Sequence, residues 1–387
     1  MGWNGSTMKQ SRMRTVALAS MFAGAMSFMS VAAGAEEIKI GVPLSLTGPV
    51  AFAGVKMRDA MEIAFEHVAE TGMLGDLKLV PIYMDDQSSQ PTGINVTQQL
   101  ALRDQVSAIV GYTASNICQA ALPVAQELKV PTLNGDCVVD GLGKIGNYVY
   151  NTVRPSDRFL EQLVAKIAAG GKFKTGAVLF QRENPLFANL APVVTAAFEK
   201  AGIKVVATET VTSGADADFS AQLTNIAGAK PDVLAILLLG GQTGPAFVQA
   251  RQAGLTDTIF IGVQNFDSDE VRRVAGEAAK DALYPSQWIA ESPLENNKRF
   301  VEEYTKRFNR EPDTFSANGY NSVLMLAQII KKAGGGDREK IREAMETIGD
   351  MDTIFGTDGK TRFEDRLVAL TPFFFEMQPD GTVKRLD

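Results

Sequence analysis

The stretch AIVGYTASNICQAALPVAQELKVPTLNGD, residues 108–136, decides how the chain is read. It opens as an apolar run that stops at Gly111, passes through small polar residues and takes on a helical period. It then repeats the move at VPTLNGD. An apolar, β-branched run bounded by Gly and followed by an amphipathic segment is a buried strand feeding a helix. Two such units in succession predict parallel strands covered by helices on both faces.

Working outward, the same alternation fills most of the chain. Strands are predicted at 38–44, 77–86, 106–112, 130–135 and 147–153, and again at 175–180, 203–211, 232–239 and 258–263. Helical periodicity fills 55–70, 93–104, 116–129 and 158–170, then 187–201, 218–228, 244–253 and 269–279. The two series are alike, so the fold class is α/β, with two doubly wound parallel-sheet lobes. The polar segment 151–159, with Arg154-Pro155, is a crossing between them. Residues 281–288 read as a further strand with a proline kink, followed by helices at 295–309, 316–333 and 337–348. The tail alternates short strands around a turn at Asp380-Gly381. One lobe is expected to hold 36–154 and 286–355, the other 155–285 and 356–387.

Residues 1–35 are expected to be a signal peptide. Lys9, Arg12 and Arg14 precede an Ala/Met-rich apolar stretch, and Ala33-Gly34-Ala35 has the small-x-small form of a cleavage site. A membrane anchor is the rival reading, but the stretch is short, interrupted by Gly and followed by Glu36-Glu37. Cleavage near Ala35 would leave 352 of the 387 residues and would move the net charge from −7 to −10, because the segment holds three basic residues and no acid. Nucleic acid is a poor partner for so acidic a chain. No later apolar run is long enough to span a bilayer. The expected setting is the periplasm, as a monomer.

Cys118 and Cys137, the two cysteines, lie in neighbouring strand-to-helix regions; they either form a disulfide or stand as two buried thiols. His67, the single histidine, sits on an amphipathic helix as a surface or boundary residue. A histidine-based metal site or a Ser/His/Asp triad is hard to build around it. No metal and no cofactor is expected. Asp85 and Asp86 are the most obvious paired carboxylates. Adjacent strand residues point to opposite faces, so they do not form an acid/base pair in one site. GLGKIG (141–146) matches a dinucleotide fingerprint but leads into another strand instead of a helix, and is read as a surface turn.

In open parallel sheets ligands sit beyond the C-terminal ends of the strands. The loop 45–61, the loop after Gly111 (Tyr112, Thr113, Ser115, Asn116) and the strand end at Asn134, Gly135 and Asp136 therefore carry the interest. Small side chains there let backbone N–H groups reach a ligand, and a helix N-terminus with hydroxyls beside it suits a carboxylate. Ser115 is also well placed simply to cap its helix. GGQTG (240–244), after another strand, allows close approach of the backbone.

Taken together, IKIGVPLSLTGPVAFAG, LVPIYMDDQSSQP, AIVGYTAS, NTVRPSD, GADADFSAQLTNIAGAKPDVL, QARQAGL and FSANGYNSVLMLAQII resemble, in order, the solute-binding proteins of ABC importers in the leucine/isoleucine/valine-binding class. The resemblance covers Ile38 to the end. It implies the type I periplasmic-binding-protein fold, two lobes joined by three crossovers, hinge closure over a ligand, and docking onto an ABC permease in the inner membrane. It also implies a binder and not an enzyme; a ligand-sensing receptor lobe is the alternative, and a hydrolase a more distant one. Ser115 matches the family's carboxylate-binding serine, and Asn134 to Cys137 its second carboxylate element. Gln264 stands where the family's ammonium-binding acid is expected, with Asp267 close by. Leu186 and Gln242 replace aromatic residues, and Phe52 stands where a bulkier aromatic is common. Two ligand classes remain open. One is a hydrophobic or branched-chain amino acid with Asp136 or Asp267 as ammonium acceptor; the other is an aromatic or organic acid, or a small amide.

Overall fold

The computed structural model describes residues 36–212, 217–380 and 382–386 together with Met1. The expected signal peptide and Gly381 of the expected tail turn lie outside the described residues. Strands β1 (Glu36–Leu44), β2 (Leu77–Asp85), β3 (Ala108–Gly111), β4 (Thr132–Asn134) and β5 (Val149–Asn151) are all parallel and lie in the order β2-β1-β3-β4-β5. Strands β6 (Thr175–Gln181), β7 (Lys204–Val211), β8 (Val233–Leu237), β9 (Ile259–Ile261) and β10 (Leu283–Ser286) repeat that order as β7-β6-β8-β9-β10. A two-stranded pairing of β11 (Met351–Asp352) with β12 (Lys360–Thr361) lies apart.

The tail behaves differently from the sequence expectation. Strands β13 (Phe363–Glu364) and β14 (Leu367–Val368) form a hairpin whose β14 pairs with β5, so they extend the first sheet. Only β15 (Phe373–Met377) and β16 (Val383–Leu386) join the second, antiparallel to β10 and to each other. The last crossing therefore lies at 369–372, not at 355/356. A chain that leaves β12 still has an open edge at β5 beside it, and backbone groups on that edge are satisfied locally before the chain crosses. The first two crossings follow β5 and β10, as the polar 151–159 segment and the 281–288 strand suggested.

Both sheets are covered on both faces, by period-2 alternation. In β3, Ala108 and Val110 join a core formed with α1 (Ala51–Glu70) and α10 (Thr314–Ala333), while Ile109 joins the opposite core with α3 (Ser115–Glu127). In β8, Leu234 and Ile236 face one cluster and Val233, Ala235 and Leu237 the other. The helix starts follow cap chemistry. Asp313 accepts from the Ser316 N–H at 3.1 Å and starts α10, and Asn184 accepts from the Leu186 N–H at 3.0 Å, with Pro185 next, to start α5 (Pro185–Lys200).

His67 departs from its expected place. It is buried, with Nδ1 3.0 Å from the Tyr320 hydroxyl. The two cysteines are joined: Cys118 in α3 and Cys137 in the loop after β4 form a disulfide across a sequence separation of 19. Closing a loop of that length restricts the unfolded chain, an effect of roughly 3 kcal/mol. The C118S/C137S double variant is expected to lose about that much in urea unfolding; an unchanged midpoint would show the bond to be thermodynamically idle.

Candidate functional site

In both sheets the strand order reverses at the first strand of the series, between β1 and β3 and between β6 and β8. Crevices open at such switch points. A cavity of about 440 Å³ lies there, lined by the four switch-point loops together with the loops after β4 and β9 and the start of α10. Pro49 and Val50 come after β1, Thr113 to Asn116 after β3, Gln181 and Glu183 to Leu186 at the end of β6, and Leu239 and Gly240 after β8. Apolar surface comes from Phe52, Phe315, Val138 and Val263, with Phe52 set edge-on to Phe315 at 5.6 Å between centroids.

The first lobe presents donors. Ala114, Ser115 and Asn116 line the cavity at the start of α3, where helix geometry leaves N–H groups without intrahelical partners. Ser115 does not cap its helix; α3 begins at Ser115 itself and carries no side-chain cap. Its Oγ instead accepts from the Val138 N–H at 3.2 Å, which leaves its hydroxyl proton free to point elsewhere. Thr113 Oγ1 accepts from the Ser45 N–H at 3.2 Å.

The loop after β4 is shaped by Asn134. Its Oδ1 accepts from the N–H groups of Asp136 (3.2 Å) and Cys137 (2.8 Å), and its Nδ2 donates to Cys137 O (2.7 Å) and Asn151 Oδ1 (2.8 Å). That arrangement aims Asp136 at the cavity. Asp136 Oδ1 accepts from Asn318 Nδ2 at 2.6 Å, and Gln264 Nε2 of the second lobe stands 3.5 Å away. Burial pushes the Asp136 carboxyl well above the usual carboxylate range, against the pull of Asn318's hydrogen bond.

The second lobe presents acceptors. Gln181, Glu183, Asn184 and Asn265 line the cavity. Asn265 donates its Nδ2 to Leu238 O at 2.8 Å, which fixes the amide's orientation, and its buried Oδ1 accepts no hydrogen bond. Gln181 Oε1 is likewise buried and unpartnered. Among the described residues no lysine, arginine or histidine lines this cavity, whereas Asp136 and Glu183 do.

Of the residues singled out in the sequence, Phe52, Ser115, Asp136, Leu186 and Gln264 meet around the cavity. Tyr112 does not. It is fully buried at φ 63°, its hydroxyl 2.8 Å from Thr97 Oγ1, because the turn at Gly111 points it into the core. Asn134 and Gly135 shape the loop without reaching the cavity; the Gly135 N–H donates to Gly111 O. Gln242 is buried in the first turn of α7 (Gly240–Gln252), since GGQTG is the start of a helix and not a loop. Asp267 is also spoken for: it accepts from the Tyr284 hydroxyl at 2.8 Å and from the Thr314 N–H of the other lobe at 3.1 Å. Asp85 and Asp86 both fold back onto the 45–47 loop, where they accept from Thr47 Oγ1 and Ser45 Oγ. Sequence reasoning missed Gln181, Glu183 and Asn265. The first two follow an apolar strand, a signal it could have used; Asn265 sits in a short helical turn that has no periodic pattern.

The two lobes also meet beside the cavity. Lys56 of α1 is buried between Asp313 of its own lobe, at 2.8 Å, and Asp269 of the other, with which it is ion-paired. The ring of Phe52 rests on Gly240, where an added Cβ would come within 2.6 Å of it.

Comparison with known proteins agrees with this geometry. The family model described as periplasmic binding protein matches residues 37–382, and the chain belongs to that family. It is 28% identical over 324 residues to the leucine-, isoleucine-, valine-, threonine- and alanine-binding protein of Pseudomonas aeruginosa, covering 82% of this chain and 84% of that one. A Leu/Ile/Val-binding protein homolog of Brucella melitensis is 26% identical over 346 residues, covering 87% and 90%. Among solved structures, the branched-chain amino acid transporter substrate-binding protein of Streptococcus pneumoniae, in complex with isoleucine, superposes with a TM-score of 0.80 at 24% identity (90% and 98% covered). A solute-binding protein of an R. palustris ABC transporter, in complex with benzoate, also gives 0.80, at 19% identity (90% and 95% covered). These last two establish the type I fold. Among the described residues no helix is long and apolar enough to cross a membrane, and no acidic, His or Cys cluster could hold a metal.

Burial pushes the Asp267 carboxyl up to about 6, against the nearby Arg272. The unfolded carboxyl titrates near 3.9. Between those values the folded chain binds the extra proton, so this group's contribution to stability rises as pH falls from about 7 to 4 and is lost on the way back. Asp267→Asn keeps an acceptor oxygen for the Thr314 N–H, turns its NH₂ toward the Tyr284 oxygen, and cannot titrate. Wild type minus variant in unfolding free energy is expected to change by about 2–3 kcal/mol across that range; parallel pH profiles would contradict the assignment.

Proposed function

We propose that the chain captures a small hydrophobic α-amino acid as the solute-binding component of an ABC importer. In this reading it is exported to the periplasm with cleavage near Ala35, acts as a monomer, and hands its ligand unchanged to an inner-membrane permease. The observation that carries the ligand class is the unequal chemistry of the two walls. One wall offers the Ser115 hydroxyl and the N–H groups of a helix start. The other offers the unpartnered Asn265 Oδ1 and Gln181 Oε1 together with Glu183. A zwitterion fits that polarity, its carboxylate on the first lobe and its ammonium toward the acceptors and Asp136. Buried polar atoms left without partners are costly, and an ammonium can supply three hydrogens. A benzoate-like acid would leave those acceptors unmatched in a cavity that holds two carboxylates and no cation. Phe52, Phe315, Leu186 and Val138 would enclose the apolar side chain.

Titration calorimetry with isoleucine and with its des-amino analogue, 3-methylpentanoate, tests the reading. The analogue is expected to bind at least about 100-fold more weakly, because the acceptors stay unmatched. Comparable affinity, or tighter binding of benzoate, would overturn it. Ser115→Ala is expected to weaken isoleucine binding by roughly 1.5–3 kcal/mol through loss of a bond to a charged carboxylate. Undiminished affinity would remove Ser115 from the contact set.

A further inference from the structure

GLGKIG, which finds no use in the solute cavity, lines a second one. This cavity, of about 480 Å³, lies at the feet of the first and third crossings. Gly141, Gly143 and Lys144 of the motif form one wall, the hairpin between β13 and β14 another, and Arg154-Pro155 with the start of α4 (Ser156–Ala168) the third. Loop and hairpin touch: an added Cβ at Gly143 would lie 2.9 Å from Asp365 O, and Arg366 donates its Nε to Gly143 O at 2.7 Å. The hairpin turn itself is Asp365-Arg366, both at positive φ (50° and 64°), a conformation that Asp tolerates and Arg adopts only rarely.

Four cations face this space: Lys144, Arg154, Arg158 and Arg366. Arg154 donates one Nη to Val368 O at 3.0 Å, so two of the guanidinium groups are fixed in position by backbone carbonyls. Among the described residues, Lys144, Arg154 and Arg366 have no carboxylate at ion-pair distance; Arg158 has only Glu161, at 3.6 Å. Three carboxylates, Asp140, Asp157 and Asp365, also border the cavity, and none of them is paired with these cations. The Asp157 Oδ1 atom is buried without a hydrogen-bond partner. The set therefore asks for an anion that also carries a hydrogen to give.

We propose that this cavity is a second binding site, for a protonated phosphate group, and that its occupancy favours the closed cleft. A phosphate at neutral pH combines negative oxygens for guanidinium and ammonium donors with a P–OH for Asp157; sulfate has the charge and lacks the proton. The coupling follows from where the walls come from. The motif and the hairpin belong with the first sheet, whereas α4 packs its Leu160 and Leu163 into the core of the second. An occupant holds both halves in the arrangement described here, in which Lys56 and Asp269 meet across the cleft. A ligand that prefers one arrangement raises the affinity of any other ligand with the same preference, reciprocally. The coupling, but not the site, rests on the solute-binding reading above.

The test uses inorganic phosphate against sulfate at matched ionic strength. Without solute, 10 mM phosphate is expected to raise Tm by about 2 °C or more while sulfate does not. The response is expected to vanish in K144Q/R158Q, which changes two exposed side chains and leaves isoleucine binding in phosphate-free buffer as it was. With phosphate present, the wild-type Kd for isoleucine is expected to fall about fivefold. Equal shifts from both anions, no shift, or a shift that survives K144Q/R158Q would overturn the site. A phosphate-specific shift with an unchanged solute Kd would overturn the coupling and leave the site standing. Phosphate binding in a protein that binds no amino acid would separate failure of the solute reading from failure of the site.

Discussion

A single amide side chain holds half of the solute cavity in shape. Asn134 sits fully buried at the tip of β4 and makes four hydrogen bonds, three within the loop that follows and one to Asn151 on the neighbouring strand. That loop carries Asp136 into the cavity and Val138 to Ser115, and the disulfide from Cys118 ties it to α3. Remove the amide and two backbone donors, a backbone acceptor and a second buried amide lose partners together. Buried polar networks of this kind are stable only when complete.

Around that fixed half, the solute binding proposed above depends on contrast between the lobes. The first supplies donors from a helix start and a hydroxyl; the second supplies acceptors from Gln181 and Asn265. Neither set satisfies itself, so a ligand with both characters gains from being shared, and the lobes gain from closing on it. Lys56 adds a contact of a different kind. It is a buried cation held by Asp313 of its own lobe, and its second partner, Asp269, belongs to the other. Because Asp313 keeps the charge compensated when the lobes part, the pair with Asp269 can form and break without stranding an unpaired ion in the interior.

Much of this was legible in the sequence. Alternating apolar runs and helical periods located the strands and helices because both sheets are covered on both faces, and buried strands write continuous apolar text. The rule that ligands sit beyond the C-terminal ends of parallel strands led to Ser115 and Asp136, and both line the cavity. What stayed hidden depended on direction more than position. Tyr112 and Thr113 are neighbours, yet the left-handed turn at Tyr112 sends one side chain into the core and leaves the other at the cavity. Asp267 and Asn265 are two residues apart, and only tertiary contacts assign the first to Tyr284 and Thr314. The 363–368 hairpin was placed in the wrong lobe because strands of two residues carry no pattern and their partner, β5, lies more than two hundred positions upstream.

The path of the tail has a consequence for how the molecule can be taken apart. The first sheet ends on a hairpin contributed after residue 360, and the second ends on β15 and β16, later still. Neither half is a contiguous piece of chain, so no single proteolytic nick or gene truncation releases one intact. A chain emerging from the ribosome lacks one edge of each sheet until the residues beyond 360 are out, so the two halves are completed nearly together.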